Sequence, residues 1–274
     1  MLEMPLTPDP AHKLERFFSA FPHAAPLLLL DYDGTLAPFH VDRFQAVPWP
    51  GVRQVLTLLQ NQKKTRIVMV SGRPAREILP LLGLAEPVEV WGLHGFERLH
   101  PDGRLEQQRL PDAVERKLRE LHAALHNDSL GGLLEAKPNA AVMHWRGASP
   151  QQAAEIERRT RALFEPAAAM EGFQLLPFDG GLELRAGCDK SAAVEALLAE
   201  SAPGTPAAYL GDDLTDEAAF RALAGRGLSL LVRPEWRPTA ADLWLKPPGE
   251  LLVFLQAWLD AAARNALPAV DSRL

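Results

Sequence analysis

The chain has 274 residues, long enough to bury a large core and to form two lobes. It carries 29 Lys and Arg against 35 Asp and Glu, a formal net charge of -6, and this excess of acid argues against nucleic acid as the main partner. The single cysteine excludes an intramolecular disulfide. No apolar run reaches the length of a membrane span, and no basic segment followed by an apolar stretch marks a signal peptide. We therefore expect a cytoplasmic protein with no membrane partner.

The first predicted element is a buried strand over residues 26–31, since its apolar run is too short to cross a membrane. The strand ends in Asp31-Tyr32-Asp33-Gly34-Thr35. Two carboxylates at a strand tip are costly unless a cation meets them, and a divalent metal with a phosphoryl group would explain their presence. Asp31 can then attack phosphorus and become an aspartyl phosphate, while Asp33 transfers protons. A bare Asp-x-Asp-Gly is about as often a simple turn.

The chain continues with a helix at 51–62, a strand at 66–71, a helix at 74–82 and a strand at 88–93. The strand at 66–71 ends in Ser71-Gly72-Arg73-Pro74, and proline is typical of the first turn of a helix. The Ser71 hydroxyl can donate a hydrogen bond to a phosphoryl oxygen. Taken alone, such a serine more often caps the helix that follows it.

Between about residues 97 and 185 the alternation of strands and helices gives way to an α+β block. We therefore predict a second domain over 110–185, inserted into a core made of 1–109 and 186–274. The predicted elements of the block are a hairpin around 101–103, a helix at 110–127, strands at 132–136 and 140–146, a helix at 150–165, and strands at 172–177 and 181–185.

Charged residues alternate with apolar ones along the predicted strands of this block. Glu135 and Lys137 are two residues apart, as are Glu183 and Arg185, so each pair lies on one face of its strand. Charged groups that converge on one face can hydrogen-bond sugar hydroxyls. The alternative is the solvent-facing side of a sheet, which accounts for most such alternation.

The last part of the chain returns to alternating elements. A lysine, Lys190, begins the first helix and can neutralise charge on a phosphoryl group, although an isolated lysine is more often a solvated surface residue. The next strand runs into Asp212-Asp213-Leu214-Thr215-Asp216-Glu217, whose hard oxygen ligands suit Mg²⁺. The alternative is an acidic helix start. The predicted elements are helices at 190–200, 215–224 and 249–263 and strands at 207–211 and 228–232.

Strands that alternate with helices predict an α/β fold with a parallel sheet and helices on both faces. Ligands of such sheets gather at the carboxyl ends of the strands, where the polar segments described above lie. We expect the two ends of the chain, 1–12 and 265–274, to be frayed.

The four polar segments, in this order, resemble the motifs of the haloacid dehalogenase-like (HAD) phosphohydrolases. Three further features make the chain similar to the trehalose-6-phosphate phosphatases over roughly residues 26–258. These features are Glu135-x-Lys137 with His144 seven residues later, Gly92-x-His-Gly-x-Glu-Arg98, and Gly211-Asp-Asp-Leu-Thr-Asp-Glu217. The resemblance implies a Rossmann-like HAD core with a parallel sheet and an inserted α+β cap domain of the C2B type.

The resemblance also implies roles for individual residues. Two positions depart from the family pattern, since Ser191 follows Lys190 and Ala186 follows Arg185, but neither removes a functional group. The implied catalytic residues are Asp31, Asp33, Ser71 and Lys190. The implied Mg²⁺ ligands are Asp31, the backbone carbonyl of Asp33, and Asp212, with Asp213 and Asp216 close behind. The implied substrate contacts are Gly34, Thr35, Arg73, His94, Gly95, Glu135, Lys137, His144 and Glu183.

The activity implied is the Mg²⁺-dependent release of trehalose and phosphate from trehalose 6-phosphate, with a functional link to a trehalose-6-phosphate synthase. A phosphatase for another glycosyl phosphate, such as sucrose 6-phosphate or mannosyl-3-phosphoglycerate, remains an alternative. Two further alternatives are a sugar phosphomutase and a catalytically silent regulatory domain that binds a sugar phosphate. The intact Asp31, Asp33, Lys190 and Asp212 argue against a silent domain.

Overall fold

The computed structural model describes residues 10–21, 25–40, 42–178 and 180–264. The described residues form two compact units. The first comprises the described parts of Met1–Glu106 and Asp189–Leu274, and the second is Gln107–Cys188. The second unit begins and ends a few residues outside the range 110–185 that was predicted for the inserted domain.

The regular elements follow one another as strands and helices, with short 3₁₀ turns between them. The helices are α1 (Pro10–Ser19), α2 (Val52–Gln62), α3 (Ala75–Leu82), α4 (Asp112–His126), α5 (Pro150–Ala168), α6 (Lys190–Glu200), α7 (Glu217–Leu223) and α8 (Gly249–Arg264). The strands are β1 (Leu27–Leu30), β2 (Arg66–Val70), β3 (Glu89–Gly92), β4 (Glu97–Leu99), β5 (Leu105–Gln107), β6 (Leu134–Lys137), β7 (Ala140–His144), β8 (Phe173–Phe178), β9 (Gly181–Ala186), β10 (Ala207–Gly211), β11 (Leu228–Val232) and β12 (Leu243–Leu245).

The first unit is built on an eight-stranded sheet in the order β12-β11-β10-β1-β2-β3-β4-β5. The strands from β12 to β3 are parallel, and β4 runs antiparallel to β3. Leu30 at the end of β1 is in register with Leu210 of β10 and Met69 of β2, so the loops that follow these strands leave the sheet at one edge. The predicted α/β core with a parallel sheet is confirmed.

Successive side chains of β1 point to opposite faces of this sheet, as the period of a strand requires. Leu28 and Leu30 pack in one buried cluster with apolar residues of α2 and α8, and Leu27 and Leu29 pack in another with residues of α6 and α7. Both faces of β1 are therefore buried, which explains why its sequence is uniformly apolar instead of alternating.

The structure corrects the prediction for the start of the chain. Residues 10–12, predicted as frayed, begin helix α1, whereas 1–9 and 265–274 lie outside the described residues. The rings of Phe17, Phe18 and Phe21 lie 4.8–6.3 Å from the ring of Trp258 on α8. A short helix is marginal by itself, and this contact with a distant aromatic residue is not visible in the local sequence. Strand β12 was also not predicted.

The second unit has a four-stranded antiparallel sheet in the order β6-β7-β9-β8, and α4 and α5 both contact it. Helix α5 begins with a capping box in which Ser149 and Gln152 each satisfy the other's backbone N–H. The helix runs to Ala168, three residues beyond the predicted end at 165. Across the described parts of both units, every helix is too short or too polar to cross a membrane.

Candidate active site

Two loops at the carboxyl edge of the parallel sheet, together with the start of α6, bring buried charged side chains together. Asp31 follows β1, Lys190 begins α6, and Asp212 and Asp216 follow β10. Lys190 Nζ lies 2.7 Å from Asp31 Oδ1 and 2.7 Å from Asp216 Oδ1. All four side chains are buried. The structure thus unites three of the predicted segments at one point.

Gly34 allows the β1 loop to approach the β10 loop. Its φ of +79° lies in the left-handed region, and a Cβ at this position would lie 2.0 Å from Asp212 Oδ2. Within the same loop, the Thr35 hydroxyl donates a hydrogen bond to Asp31 Oδ2 at 3.4 Å. The predicted substrate contacts Gly34 and Thr35 therefore lie against the two aspartates, and Thr35 is fully buried.

Asp216 is held by hydrogen bonds on both carboxylate oxygens. Its Oδ1 accepts from Lys190 Nζ and from the Tyr209 hydroxyl, each at 2.7 Å. Its Oδ2 accepts from the backbone N–H groups of Asp212 at 3.0 Å and Asp213 at 2.9 Å. Asp216 therefore fixes the backbone of the acidic loop and the position of Lys190. Tyr209 was not predicted to have a role, although a tyrosine in a buried strand signals a buried partner for its hydroxyl.

The site holds more negative charge than its lysine neutralises. Burial raises the pKa of the Asp31 carboxyl to about 7, against the opposing effect of Lys190. Burial, together with the charges of Asp31 and Asp216, raises the pKa of Asp212 well above its ordinary value. Burial alone would lower the pKa of Lys190, but the charges of Asp216 and Asp31 outweigh it and raise that pKa. A further cation would favour the ionised forms of Asp31 and Asp212.

The donor set fits a hard divalent cation. Carboxylate oxygens of Asp31, Asp212 and Asp216 lie within 4.8 Å of one another, and oxygen ligands of this kind suit Mg²⁺. Asp213 was predicted to belong to the metal site, next to the direct ligands. Its side chain is exposed and lies outside this cluster, where it caps the 3₁₀ turn Leu214–Asp216.

The loop after β2 places Ser71 and Arg73 near the first aspartate loop. Ser71 is buried, and its Oγ accepts a hydrogen bond from the Arg73 backbone N–H at 3.2 Å. The Arg73 guanidinium donates to both carboxylate oxygens of Asp33, through Nε at 2.6 Å and Nη2 at 2.6 Å. Arg73 was predicted to contact substrate, and in the structure it binds the predicted proton-transfer residue.

The Gly92–Gly95 segment contacts the backbone of that loop. The His94 N–H donates to the Ser71 carbonyl at 2.9 Å. The His94 ring lies against Gly72, where a Cβ would come within 2.6 Å of it. Leu93 and His94 both have positive φ angles, 51° and 58°, which few non-glycine residues adopt. The predicted contacts His94 and Gly95 therefore belong to a segment that supports the Ser71 loop.

The predicted sugar contacts of the second unit lie on one face of its sheet. Glu135 of β6 pairs in register with Val142 of β7, which pairs with Glu183 of β9. His144 Nε2 lies 3.0 Å from Glu135 Oε2. Lys137 lies one pleat along β6 on the same face as Glu135. The structure therefore brings Glu135, Lys137, His144 and Glu183 together on this face.

This face is more than a solvated polar surface. Glu183 is 8% exposed and Arg185 is 4% exposed. Within the described residues, Glu183 Oε1 and Arg185 Nε have no hydrogen-bond partner. Buried polar atoms of this kind are costly unless a partner satisfies them, so these two are candidates for ligand contact.

Comparisons with known proteins agree with these features. A family model described as trehalose-phosphatase matches residues 29–238. A trehalose-phosphate phosphatase from Mycobacterium marinum is 31% identical over 245 residues, which are 84% of this chain and 60% of that relative. The chain thus spans about 60% of the length of this relative. The trehalose-6-phosphate phosphatase of Escherichia coli is 31% identical over 229 residues, covering 78% of this chain and 82% of that relative.

Solved structures share the fold. The C-terminal domain of a C. albicans trehalose-6-phosphate phosphatase superposes with a TM-score of 0.72 at 20% identity, covering 90% of this chain and 96% of that one. A haloacid dehalogenase-like hydrolase from B. subtilis superposes with a TM-score of 0.56 at 16% identity, covering 84% and 98%. The fold is therefore that of the HAD hydrolases. Because the family model matches more than half of its residues, this chain belongs to the trehalose-phosphatase family.

Proposed function

We propose that this protein is a Mg²⁺-dependent phosphatase that hydrolyses trehalose 6-phosphate to trehalose and phosphate. The observation that carries the proposal is the buried contact of Lys190 with Asp31 and Asp216, beside Asp212, at the carboxyl edge of the sheet. A lysine among three carboxylates leaves uncompensated negative charge, which a divalent cation offsets.

The proposed reaction has two displacements at phosphorus. An oxygen of Asp31 attacks the phosphorus, the bond from phosphorus to the sugar oxygen breaks, and the carboxyl of Asp33 gives its proton to that oxygen. Water then attacks the aspartyl phosphate while Asp33 takes a proton from it, so phosphate leaves and both aspartates return to their starting forms.

Other residues of the site hold the phosphoryl group. Lys190 and the Ser71 hydroxyl would donate hydrogen bonds to its oxygens. Asp31 and Asp212 would hold Mg²⁺, with Asp216 behind them and the Asp33 carbonyl as a further ligand. When bound, Mg²⁺ would offset the negative charge that builds on the phosphoryl group during transfer.

We propose that the second unit acts as the cap that selects the sugar. Glu135, Lys137, His144 and Glu183 share one sheet face and would hydrogen-bond the sugar hydroxyls. The buried Glu183 Oε1, which has no hydrogen-bond partner within the described residues, supports this role most directly. The remaining described part of the chain would be the phosphatase core, formed from the sequence on both sides of the insertion.

Two predictions from the sequence remain part of the proposal. One is a cytoplasmic location. The other is a functional link to a trehalose-6-phosphate synthase, whose reaction would supply the substrate.

The test is phosphate release over a panel of trehalose 6-phosphate, sucrose 6-phosphate, mannosyl-3-phosphoglycerate and glucose 6-phosphate, with Mg²⁺. We expect the highest kcat/KM for trehalose 6-phosphate. The Asp31→Asn variant should stay folded and lose nearly all turnover, because a carboxamide does not form the aspartyl phosphate. Preference for another phosphate would reassign the substrate, and near-wild-type turnover by Asp31→Asn would exclude the covalent route.

A further inference from the structure

The guanidinium of Arg73 is occupied on three sides by groups of this protein. Its Nε donates to Asp33 Oδ2 and its Nη2 to Asp33 Oδ1, both at 2.6 Å. Its Nη1 donates to the backbone carbonyl of Arg43 at 2.6 Å. The side chain of Arg73 is 9% exposed. A planar fork of this kind fixes the orientation of a carboxylate as well as its charge, which a lysine ammonium does not do.

The backbone that carries Arg73 is held by the end of β3 and the turn that follows it. The contact is close, because a Cβ on Gly92 would lie 2.4 Å from the Ala75 nitrogen. Three backbone hydrogen bonds join the two segments. They run from Ser71 N to Trp91 O at 2.8 Å, from His94 N to Ser71 O at 2.9 Å, and from Leu93 N to Arg73 O at 2.9 Å.

A fourth hydrogen bond to the backbone near Arg73 comes from the side chain of a residue on β4. Glu97 on β4 is 5% exposed, and its Oε1 accepts from the Ala75 N–H at 2.6 Å. Ala75 is the first residue of α3, and the residue before it, Pro74, offers no side-chain cap. Glu97 therefore acts as the acceptor for the first turn of α3, in place of the side chain of a local N-cap residue. This bond fixes the backbone two residues after Arg73.

We propose that Arg73 and Glu97 are positioning residues for the proton transfer by Asp33. Arg73 holds the Asp33 carboxyl in the orientation that reaches the leaving oxygen, and Glu97 fixes the loop from which Arg73 extends. This inference rests on the proposed phosphatase reaction. It assigns Arg73 to Asp33, where the sequence pointed to a contact with the substrate.

The chemistry separates this role from substrate binding. As the Asp31–phosphorus bond forms and the bond to the leaving oxygen breaks, the proton of Asp33 moves to that oxygen. Both oxygens of Asp33 accept from Arg73, so the orientation of this carboxyl toward the leaving oxygen depends on Arg73. An alkoxide is a poor leaving group and needs this proton, whereas p-nitrophenolate leaves without it.

The experiment compares p-nitrophenyl phosphate with benzyl phosphate, which are similar in size and carry no sugar. The quantity to compare is kcat/KM, because it reports the steps up to departure of the leaving group and excludes hydrolysis of the aspartyl phosphate. In Arg73→Lys and in Glu97→Ala, kcat/KM for benzyl phosphate should fall roughly 10- to 100-fold more than kcat/KM for p-nitrophenyl phosphate. This loss is smaller than the full rate contribution of a general acid, because Asp33 itself remains. Glu97→Gln keeps an acceptor oxygen and should retain a ratio close to wild type.

Matched controls lie nearby. Arg76→Lys changes an exposed arginine in the first turn of α3, and Glu86→Ala changes an exposed glutamate before β3; both should leave the ratio unchanged. In an Asp33→Asn background, adding Arg73→Lys should produce no further change in the ratio, because the two residues act in one step. Circular dichroism establishes that each variant is folded, and Glu97→Ala tests the inference independently of Arg73→Lys.

Equal losses for the two substrates would overturn the positioning role and assign Arg73 to the phosphoryl group that both share. A ratio that still falls when Arg73→Lys is added to Asp33→Asn would overturn it as well. If the wild-type protein released no phosphate from trehalose 6-phosphate, the proposed function itself would fail. If it hydrolysed trehalose 6-phosphate and both small esters and the ratio stayed constant in the variants, only the positioning role would fail.

Discussion

The ammonium of Lys190 lies 2.7 Å from a carboxylate oxygen of Asp31 and so joins the start of α6 to the end of β1. The same ammonium lies 2.7 Å from Asp216 Oδ1, and the side chains of Lys190 and Asp31 are 3% and 5% exposed. One buried charge thus connects the predicted nucleophile with the acidic loop after β10. Removing one partner of a buried pair leaves the other charge uncompensated.

Lys190→Ala should therefore reduce both activity and stability. We expect kcat/KM to fall for trehalose 6-phosphate and for a small aryl phosphate alike, because the lysine acts on the phosphoryl group that both contain. The free energy of unfolding should fall by about 3–5 kcal/mol, as for other broken buried pairs. Urea unfolding and phosphate release measure the two effects. Lys117→Ala, in a surface pair with Glu120 on α4, is the control and should change stability by less than about 1 kcal/mol.

Metal should stabilise the protein in a pH-dependent way. The pKa of Asp31 rises from 3.8 to about 7, mainly through burial. The folded protein therefore binds more protons than the unfolded chain between these values, so the stability of the metal-free protein falls as the pH rises through this range. Mg²⁺ binds the ionised oxygens, so it should raise the Tm more at pH 8 than at pH 5.5.

Thermal unfolding with a chelator and with added Mg²⁺, at both pH values, measures this effect. The chelator should also abolish phosphate release, and Mg²⁺ should restore it. Ca²⁺ should support turnover poorly because it prefers longer distances and more ligands. The increase in Tm should shrink in Asp212→Asn. An unchanged increase in that variant would place the metal elsewhere, and full turnover in metal-free buffer would exclude a metal-dependent reaction.

Glu183 should contribute to sugar binding and not to the chemical step. Each hydrogen bond lost from a buried polar site costs about 1–3 kcal/mol. Glu183→Ala should then lower kcat/KM for trehalose 6-phosphate by roughly 5- to 150-fold and hardly affect a small aryl phosphate. The measurement is the ratio of kcat/KM for the two substrates. Glu171→Ala, at an exposed position of the same unit, is the control. An equal loss for both substrates would contradict the assignment of Glu183 to the sugar.

Gly34→Ala should disrupt the site through a steric clash. The new Cβ would lie 2.0 Å from Asp212 Oδ2, at a φ of +79°. Gly103→Ala is a matched control, because its φ is +88° and no heavy atom lies within 4 Å of the new Cβ. Both variants should lose about 1–2 kcal/mol of stability from the left-handed conformation. Only Gly34→Ala should lose phosphate release and the stabilisation by Mg²⁺. Retained activity in that variant would mean that the β1 and β10 loops can separate without cost.

The parallel core and the position of its acidic residues could be predicted from the sequence because both depend on local patterns. The apolar run before Asp31 indicates a strand buried on both faces, and the alternation of strands with helices indicates a parallel sheet. The carboxyl ends of parallel strands lie at one edge of the sheet, so the sequence predicted that Asp31, Ser71 and Asp212 lie near one another there. The two-residue spacing likewise predicted that Glu135 and Lys137 share a face of one strand and that Glu183 and Arg185 share a face of another, whereas the register of the strands placed Glu135 and Glu183 on a common face.

Tertiary structure alone decided which of these residues bind each other. The partner of Arg73 is Asp33, 40 residues earlier, and the partner of Glu97 is a backbone N–H of a neighbouring helix. Helix α1 is stabilised by Trp258, far away in the sequence. Among the neighbouring acids, Asp216 is buried in the cluster and Asp213 is exposed, because a 3₁₀ turn directs one inward and leaves the other at its start. Such pairings depend on how elements that are distant in sequence pack against one another, and the local sequence pattern does not determine that packing.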